Sequence, residues 1–597
     1  MSAAPKAPGS LGRSATRGAA VTIGGQAVRI VIQLGSIVIL ARLLAPADYG
    51  LIAMVTAIIG IGEIFRDFGL SSAAIQAKEI SRGQKSNLFW INSAIGLVLT
   101  LLVIAASWPV AALYGDPRLQ LLTVALSSTF LLNGVATQFR ADLARHLRFV
   151  KLTAVDIAGQ VIGLALGVIL ALSGAGYWAL AASQVVQPLV GVIVLIAITG
   201  WLPGRYRRGE PMKAFLRYGG GVFATQALTY VSKNVDSVII GARFGPVDLG
   251  LYNRAFQLMM LPLQQLNAPA QRVALPVLSR LQDERERFRT FILFGQSAML
   301  TVMGLVLAVL GSQADSVIRI LLGERWLASV PIFQILLVAG FFQATAYCSW
   351  WVFLAKNLVR QSVWYSLCTR PLMVVLILVG SNWGVTGVAV AYAASLALTW
   401  PIALLWIGRT SDAPVGEMFL NGLRSLIVFG SITVGAFFAT IALPADVPIL
   451  RLAVGVAAVL VASDCGCSCC PRSAARSSGS PMPAATSSAR RRPPPLRSPP
   501  TSRPSSRTPP LPLVKETDET QARSREVLEE GLRHDHAPSR EARREGLPRR
   551  RVVAPRDPRR PPAAGGARQR QHRRPGHARG VPREHLRPGR DHRAVRR

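Results

Sequence analysis

Residues 36–51, SIVILARLLAPADYGL, return further along the chain as residues 237–251, SVIIGARFGPVDLGL. The register is 201 residues from Ser36 to Arg42 and 200 from Pro46 to Leu51. Each copy closes one apolar run and opens the next. Apolar segments resemble one another by chance, but Arg, Pro, Asp and Gly shared at one register point to an internal repeat. Six apolar runs separate the copies, so the two halves carry the same orientation.

The runs are each about 20 residues long, enough to cross a ~30 Å hydrocarbon core. They fall near 19–43, 48–72, 87–113, 118–139, 152–173, 177–200, 218–242, 247–271, 289–311, 327–355, 361–381, 384–408, 419–442 and 447–463. In lipid every backbone polar group must be paired, and runs of this length do so as helices. The sequence therefore predicts an all-α polytopic membrane protein. Two six-helix lobes are related by a parallel repeat about the membrane normal, followed by two further helices, the last truncated, and a disordered tail. The expected segments are 1–18 (N-terminal segment), 19–200 (N-lobe), 201–217 (basic linker), 218–408 (C-lobe), 409–463 (extra helices) and 464–597 (tail).

Charge alone would suggest another class. The 597 residues carry 67 Lys and Arg against 31 Asp and Glu, a net +36, which in a soluble chain would indicate nucleic acid. A hydrophobic content of 50% and a mean hydropathy of +0.35 exclude that partner. The excess has two sources: residues 1–463 hold 35 basic and 18 acidic side chains, the remaining 134 hold 32 and 13. That last part has 21 of the 39 prolines and no Phe, Tyr, Trp, Ile or Asn, so it has nothing with which to build a core.

Loop charges alternate along the rest. Lys6/Arg13/Arg17, Lys78/Arg82/Lys85, Arg140/Arg145/Arg148/Lys151, Arg205/Arg207/Arg208/Lys213/Arg217, Arg280/Arg285/Arg287/Arg289, Lys356/Arg360 and Arg409/Arg424 fall to one side. The intervening loops, such as 115–117, 173–176 and 381–384, are short and poorer in positive charge, although Arg42, Arg118, Arg243, Arg319 and Arg325 fall toward them. By the positive-inside rule the basic side and both termini are cytoplasmic.

Ionisable groups inside spans face protein or water rather than lipid. Arg29 lies midway along the first span; Glu63, Arg66 and Asp67 share a face of the second; Lys233, Asn234 and Asp236 sit in the seventh and Arg254 in the eighth. These helices lead each lobe, so their polar faces can line an inter-lobe cavity. A cationic cavity suits a phosphate or diphosphate, because Arg offers a planar fork of donors. Glu63–Arg66 and Lys233–Asp236 read equally well as local ion pairs, and Arg66 and Asp67 as snorkelling groups. Arg29 and Arg254 have no partner nearby in sequence. Asn92, Gln160, Gln184 and Gln226 read either as sugar contacts or as interhelical glue.

No Walker A, HExxH or GxSxG pattern occurs, and His146 is the one histidine before residue 464. The C-x-C-x-C-C run at 465–470 lacks the paired clusters of a zinc module. Catalytic residues, metal ligands and cofactors are therefore not expected, and any driving force comes from a gradient.

Tyr230–Phe256, YVSKNVDSVIIGARFGPVDLGLYNRAF, followed by Leu258–Pro262, resembles the signature of polysaccharide (O-antigen-type) flippases; so do 274–283, ALPVLSRLQD, and 41–51, ARLLAPADYGL. These belong to the multidrug/oligosaccharidyl-lipid/polysaccharide exporter superfamily, and the likeness covers roughly residues 15–463. It implies twelve core helices, often two more, and transport of an undecaprenyl-diphosphate-linked oligosaccharide between leaflets of the cytoplasmic (inner) membrane by alternating access. Arg29, Arg66 and Arg254 become candidates for diphosphate contact, and Lys233, Asn234 and Asp236 for the cavity lining. Implied partners are the lipid-linked oligosaccharide, membrane lipids, and the polymerase and chain-length machinery of cell-surface polysaccharide (O-antigen, capsule or exopolysaccharide) synthesis. The alternatives are a drug or cation antiporter of the same superfamily, centred on a buried carboxylate, and a membrane polymerase or ligase, which would need a large outer loop.

The tail departs from that pattern. The residue types it lacks include those with AT-rich codons, as an out-of-frame reading of a GC-rich gene would give. Resequencing around codon 463 is expected to reveal a frame change, with an apolar continuation in the alternative frame. An intact frame without such a continuation would leave a genuine basic tail.

Overall fold

The computed structural model describes residues 8–67, 74, 80–209, 234–444 and 447–469, without the side chains of 8–23, 61, 63–67 and 465–469. The chain divides into units Met1–Met482 and Pro483–Arg597, and every described residue belongs to the first. The expected sites Lys233 and Gln226, residues 210–217 of the linker, and the tail from residue 470 lie outside the described residues. So do the side chains of Glu63, Arg66 and Asp67.

The described residues are helical, with no strand. The helices are α1 (Pro8–Leu43), α2 (Pro46–Asp67), α3 (Arg82–Tyr114), α4 (Arg118–Arg145), α5 (Phe149–Leu172), α6 (Tyr177–Thr199), α7 (Val235–Arg280), α8 (Arg285–Ser312), the short α9 (Ala314–Leu321), α10 (Val330–Ala355), α11 (Val359–Gly380), α12 (Gly384–Thr410), α13 (Val415–Ile441) and α14 (Pro448–Cys469). Among the described residues nine stretches are long and apolar enough to span a bilayer, one of them, Val359–Thr410, comprising both α11 and α12. Large apolar side chains such as Trp108, Leu101, Ile169, Leu405 and Phe438 stand more than half exposed on the bundle's flanks, where they meet lipid instead of water.

Two helix ends differ from expectation. The first helix begins at Pro8, not near residue 19, because proline suits a first turn and the Leu, Arg and Ala that follow favour helix, although Arg13, Arg17 and the serines keep the stretch too polar to read as a span. The last helix runs six residues past Ser463, to Cys469, where hydropathy has already ended.

Close approach between helices relies on small residues, as expected where lipid removes the hydrophobic drive for association. Gly159, Gly163 and Gly167 lie one turn apart on α5, and a methyl group on any of them would crowd α6 at Gln187, Ser183 or Ala179. In the first half α2 and α3 pack on α4, and α4 and α5 pack on α6. In the second α7 and α8 pack on α10, and α10 and α11 pack on α12, pairing for pairing. Between the halves the main contact is α2 against α7.

The repeated stretch makes that contact. Pro46 opens α2, and Asp48 Oδ2 accepts a hydrogen bond of 2.9 Å from the Ala45 amide, satisfying a free donor of the first turn. One turn on, Gly50 lies against the Pro246 carbonyl, while Gly250 lies against the Pro46 carbonyl and the Gly50 amide. The contact is reciprocal, and a Cβ at either glycine would overlap the opposing carbonyl. The one-residue change of register now has a cause. Three residues separate Arg42 from Pro46, but only two separate Arg243 from Pro246, and the tighter corner places Gly245 at φ +82°.

At the basic end the segment after α6 folds back on α3. The Asn87 amide donates to the Arg207 carbonyl (2.7 Å) and accepts from the Arg207 amide (2.8 Å). Ser86 Oγ accepts from the Gly204 amide, and Trp90 Nε1 donates to the Gly204 carbonyl.

Gly50→Ala and Gly250→Ala are each expected to lower the thermal midpoint of the purified chain, at about 1–3 kcal/mol per overpacked site. Gly435→Ala, with open space beside it, serves as the control and should not lower the midpoint, since alanine favours a helix interior over glycine.

Candidate functional site

Two polar clefts meet inside the bundle. The first, about 440 Å³, is lined by Gln33 of α1, Tyr49 and Thr56 of α2, Gln184 of α6, and Asn253, Arg254, Gln257 and Gln264 of α7. The second, about 460 Å³, is lined by Thr56, Thr129, Asn133, Arg140, Asp156, Gln184 and Gln187. Thr56 and Gln184 belong to both, so the two form one path.

Each cleft has its own cations. Asp156 binds two arginines at once, Arg29 Nη1 at 3.1 Å and Arg140 Nη1 at 2.7 Å. The cluster joins α1, α4 and α5, and retains one positive charge. Asp156 lies seven residues into α5 and Arg140 five residues before the end of α4, so both stand about 8–11 Å from the basic end along their helices. Arg254 lies eight residues beyond Pro246, about 12 Å from the opposite end. Its guanidinium rests 3.7 Å from the centre of the Tyr49 ring and donates to Gln257 Oε1. No carboxylate pairs with it among the described residues. The cation–π contact contributes about 0.5–2 kcal/mol, far less than full charge compensation.

The expected residues thus separate. Arg254 lines the first cleft, and Arg29 bonds Asp156 of the second; Arg29, without a partner nearby in sequence, finds one on a helix 127 residues away, beyond the reach of local spacing. Arg140, read as part of a basic loop, points its guanidinium into the path. Asn234 immediately precedes α7. Asp236 is 3% exposed, its carboxylate held by the Tyr252 hydroxyl (2.9 Å) and the Ser237 amide (2.8 Å), and it lines neither cleft. Of the polar span residues, Gln184 lines both clefts, whereas Asn92 is buried between α3 and α4. Sequence reasoning missed Asp156 and Tyr49. The signal for Asp156 was its standing as the one carboxylate in the run 152–173.

The end of the path nearest Arg254 is closed. Trp326, fully buried in the turn Glu324–Ser329, donates its indole N–H to the Ala41 carbonyl at 2.9 Å. Its ring meets the Tyr49 ring edge-on, with centroids 5.3 Å apart. Arg42 donates to the Ile320 carbonyl beside it. Together with the crossing of Gly50 and Gly250, these contacts join the two halves across the cleft's end.

The family described as "Polysaccharide biosynthesis protein" matches residues 39–331. The chain is 26% identical over 376 residues to the lipopolysaccharide biosynthesis protein WzxC of Escherichia coli (strain K12), covering 61% of this chain and 75% of that protein. It is 28% identical over 298 residues to the teichuronic acid biosynthesis protein TuaB of Bacillus subtilis (strain 168), covering 49% of this chain and 62% of that protein. Among solved structures, the lipid II flippase MurJ in an inward closed conformation superposes with a TM-score of 0.59 at 13% identity, over 76% of this chain and 98% of that one, a likeness of fold. Residues 39–331 thus match the polysaccharide biosynthesis protein family, and the chain is a multi-pass helical membrane transporter of the kind that serves polysaccharide biosynthesis.

Proposed function

We propose that the chain moves an undecaprenyl-diphosphate-linked oligosaccharide from the cytoplasmic to the outer leaflet of the inner membrane, its two halves acting as lobes that rock by alternating access. The observation that carries this reading is Arg254, a half-buried cation in the cleft whose contacts are an aromatic ring and an amide. A buried cation so poorly compensated is suited to an anionic ligand, and a diphosphate supplies both charge and acceptors for the guanidinium fork. The Arg29–Asp156–Arg140 cluster, nearer the basic end, forms an earlier station on the same path. The threonine and amide side chains between the stations match sugar hydroxyls. The lipid tail stays among apolar surfaces, for which the groove of about 510 Å³ between α8, α10 and α13 is suited. Sidedness follows the loop charges, which place the basic end and both termini in the cytoplasm. A polymerase and chain-length machinery would take up the delivered glycan.

The antiporter reading calls for an open buried carboxylate. Asp236 is buried, but Tyr252 and Ser237 occupy it, and among the described residues Arg254, Arg140 and Arg29 stand against the one carboxylate Asp156, which leaves these clefts cationic. The charge therefore favours the lipid-diphosphate substrate.

The test is leaflet translocation of a prenyl-diphosphate sugar by the reconstituted full chain. Arg254→Ala is expected to weaken substrate affinity about ten- to a hundredfold, as loss of a hydrogen bond to a charged group implies, with its thermal midpoint retained. Translocation by Arg254→Ala at the wild-type rate, or drug extrusion by a wild-type chain that moves no lipid, would reject the assignment. Asp156→Asn strands two arginines and should lower stability by about 1–3 kcal/mol. Arg140→Ala, which leaves Arg29 paired, should cost less in the same thermal assay.

A further inference from the structure

Tyr49 stands where the cleft and its closed end share one side chain. It is 4% exposed, and its hydroxyl has no hydrogen-bond partner among the described residues. One face of its ring carries the Arg254 guanidinium, and the ring also abuts Trp326. Trp326 in turn holds the Ala41 carbonyl. The next residue in the chain is Gly50, at the crossing of α2 and α7. A single column thus runs from the cleft cation to the groups that close the path.

We propose that Tyr49 is a positioning residue that parks Arg254 while the path is closed and transmits the loading of Arg254 by a phosphate-bearing ligand to the Trp326 seal. The argument rests on the function proposed above and adds a route by which ligand reaches the seal. A ligand shifts a conformational equilibrium only by interacting differently with its two states. Here the difference has a physical source. A phosphate offers the guanidinium charge-assisted hydrogen bonds stronger than a cation–π contact, so the loaded guanidinium leaves the ring. Tyr49 then loses the partner that fixes its ring against Trp326, and the hold of Trp326 on Ala41 weakens. The unpartnered hydroxyl faces the same exchange, since an incoming phosphate or sugar oxygen can accept from it.

The experiment uses the full chain in nanodiscs, its cysteines replaced and Ala41→Cys introduced at a site that is 0% exposed while the seal is closed. Modification by a small thiol reagent reports opening, with farnesyl diphosphate as the probe and farnesol as the uncharged control. Farnesyl diphosphate, but not farnesol, should accelerate modification in the parent chain. Tyr49→Phe keeps the ring face and should retain the response. Tyr49→Leu should still bind the probe, while the ratio of rates with and without it falls by about fivefold, the factor a contact of this kind is worth. A merely structural Tyr49 would change the basal rate in Tyr49→Leu and leave that ratio intact, which overturns the proposal. Binding by the parent chain without acceleration also overturns it, while leaving the substrate assignment standing. Failure of the parent chain to bind farnesyl diphosphate overturns both.

Discussion

Two backbones in contact set the geometry on which everything else depends. Gly50 and Gly250 bring the first turns of α2 and α7 so close that each glycine meets the other helix's opening proline carbonyl. Side chains could not produce this crossing, because any Cβ would hold the helices apart. In lipid there is no hydrophobic force to draw helices together, so such contacts rely on fit and dispersion over short distances. The crossing fixes Tyr49 and Arg254 within reach of each other across the two halves, and it lets Trp326 find a carbonyl on α1. Below the crossing the helices diverge enough to leave a polar path.

Along that path, charge is distributed unevenly. Near the basic end two arginines share one carboxylate, while at the far end a single arginine rests on an aromatic face. Full neutralisation would make the interior more stable and less attractive to an anion. Incomplete neutralisation at two depths gives an anionic group two favourable positions with uncharged amides and hydroxyls between them. Asp236, the most buried carboxylate among the described residues, is taken up by α7 itself through Tyr252. It therefore acts in holding the kinked helix and leaves the cationic character of the path unchanged.

Much of the fold could be read directly because membrane helices announce themselves through length and hydropathy, and because the repeated Arg, Pro, Asp and Gly shared a register. The purpose of those residues could not be read. Gly50 looks like any turn glycine until its opposing carbonyl is seen, and the missing residue before Pro246 gains meaning from the positive φ of Gly245. Arg254 was recognisable as a charge in an apolar run. The partner of Arg29, Asp156, could not be read, since a sequence displays neighbours three or four residues away but not those brought by another helix. Tyr49 gave no signal, because aromatic residues near helix starts are common and its importance lies in what each side of the ring touches. The Arg66 side chain and Lys233 remain as the sequence presents them, outside what the structure describes.

The Asn87 side chain completes a pair of hydrogen bonds with the backbone of Arg207, as a neighbouring β-strand would. With Ser86 and Trp90 it splices the segment 201–207 to the start of α3. The stretch that follows α6 thereby belongs mechanically to the first half, although it leads toward the second. Four backbone groups, the amides and carbonyls of residues 204 and 207, are anchored there, so the chain does not leave the first half at the end of α6. An asparagine on α3 therefore sets how far beyond α6 the first half extends.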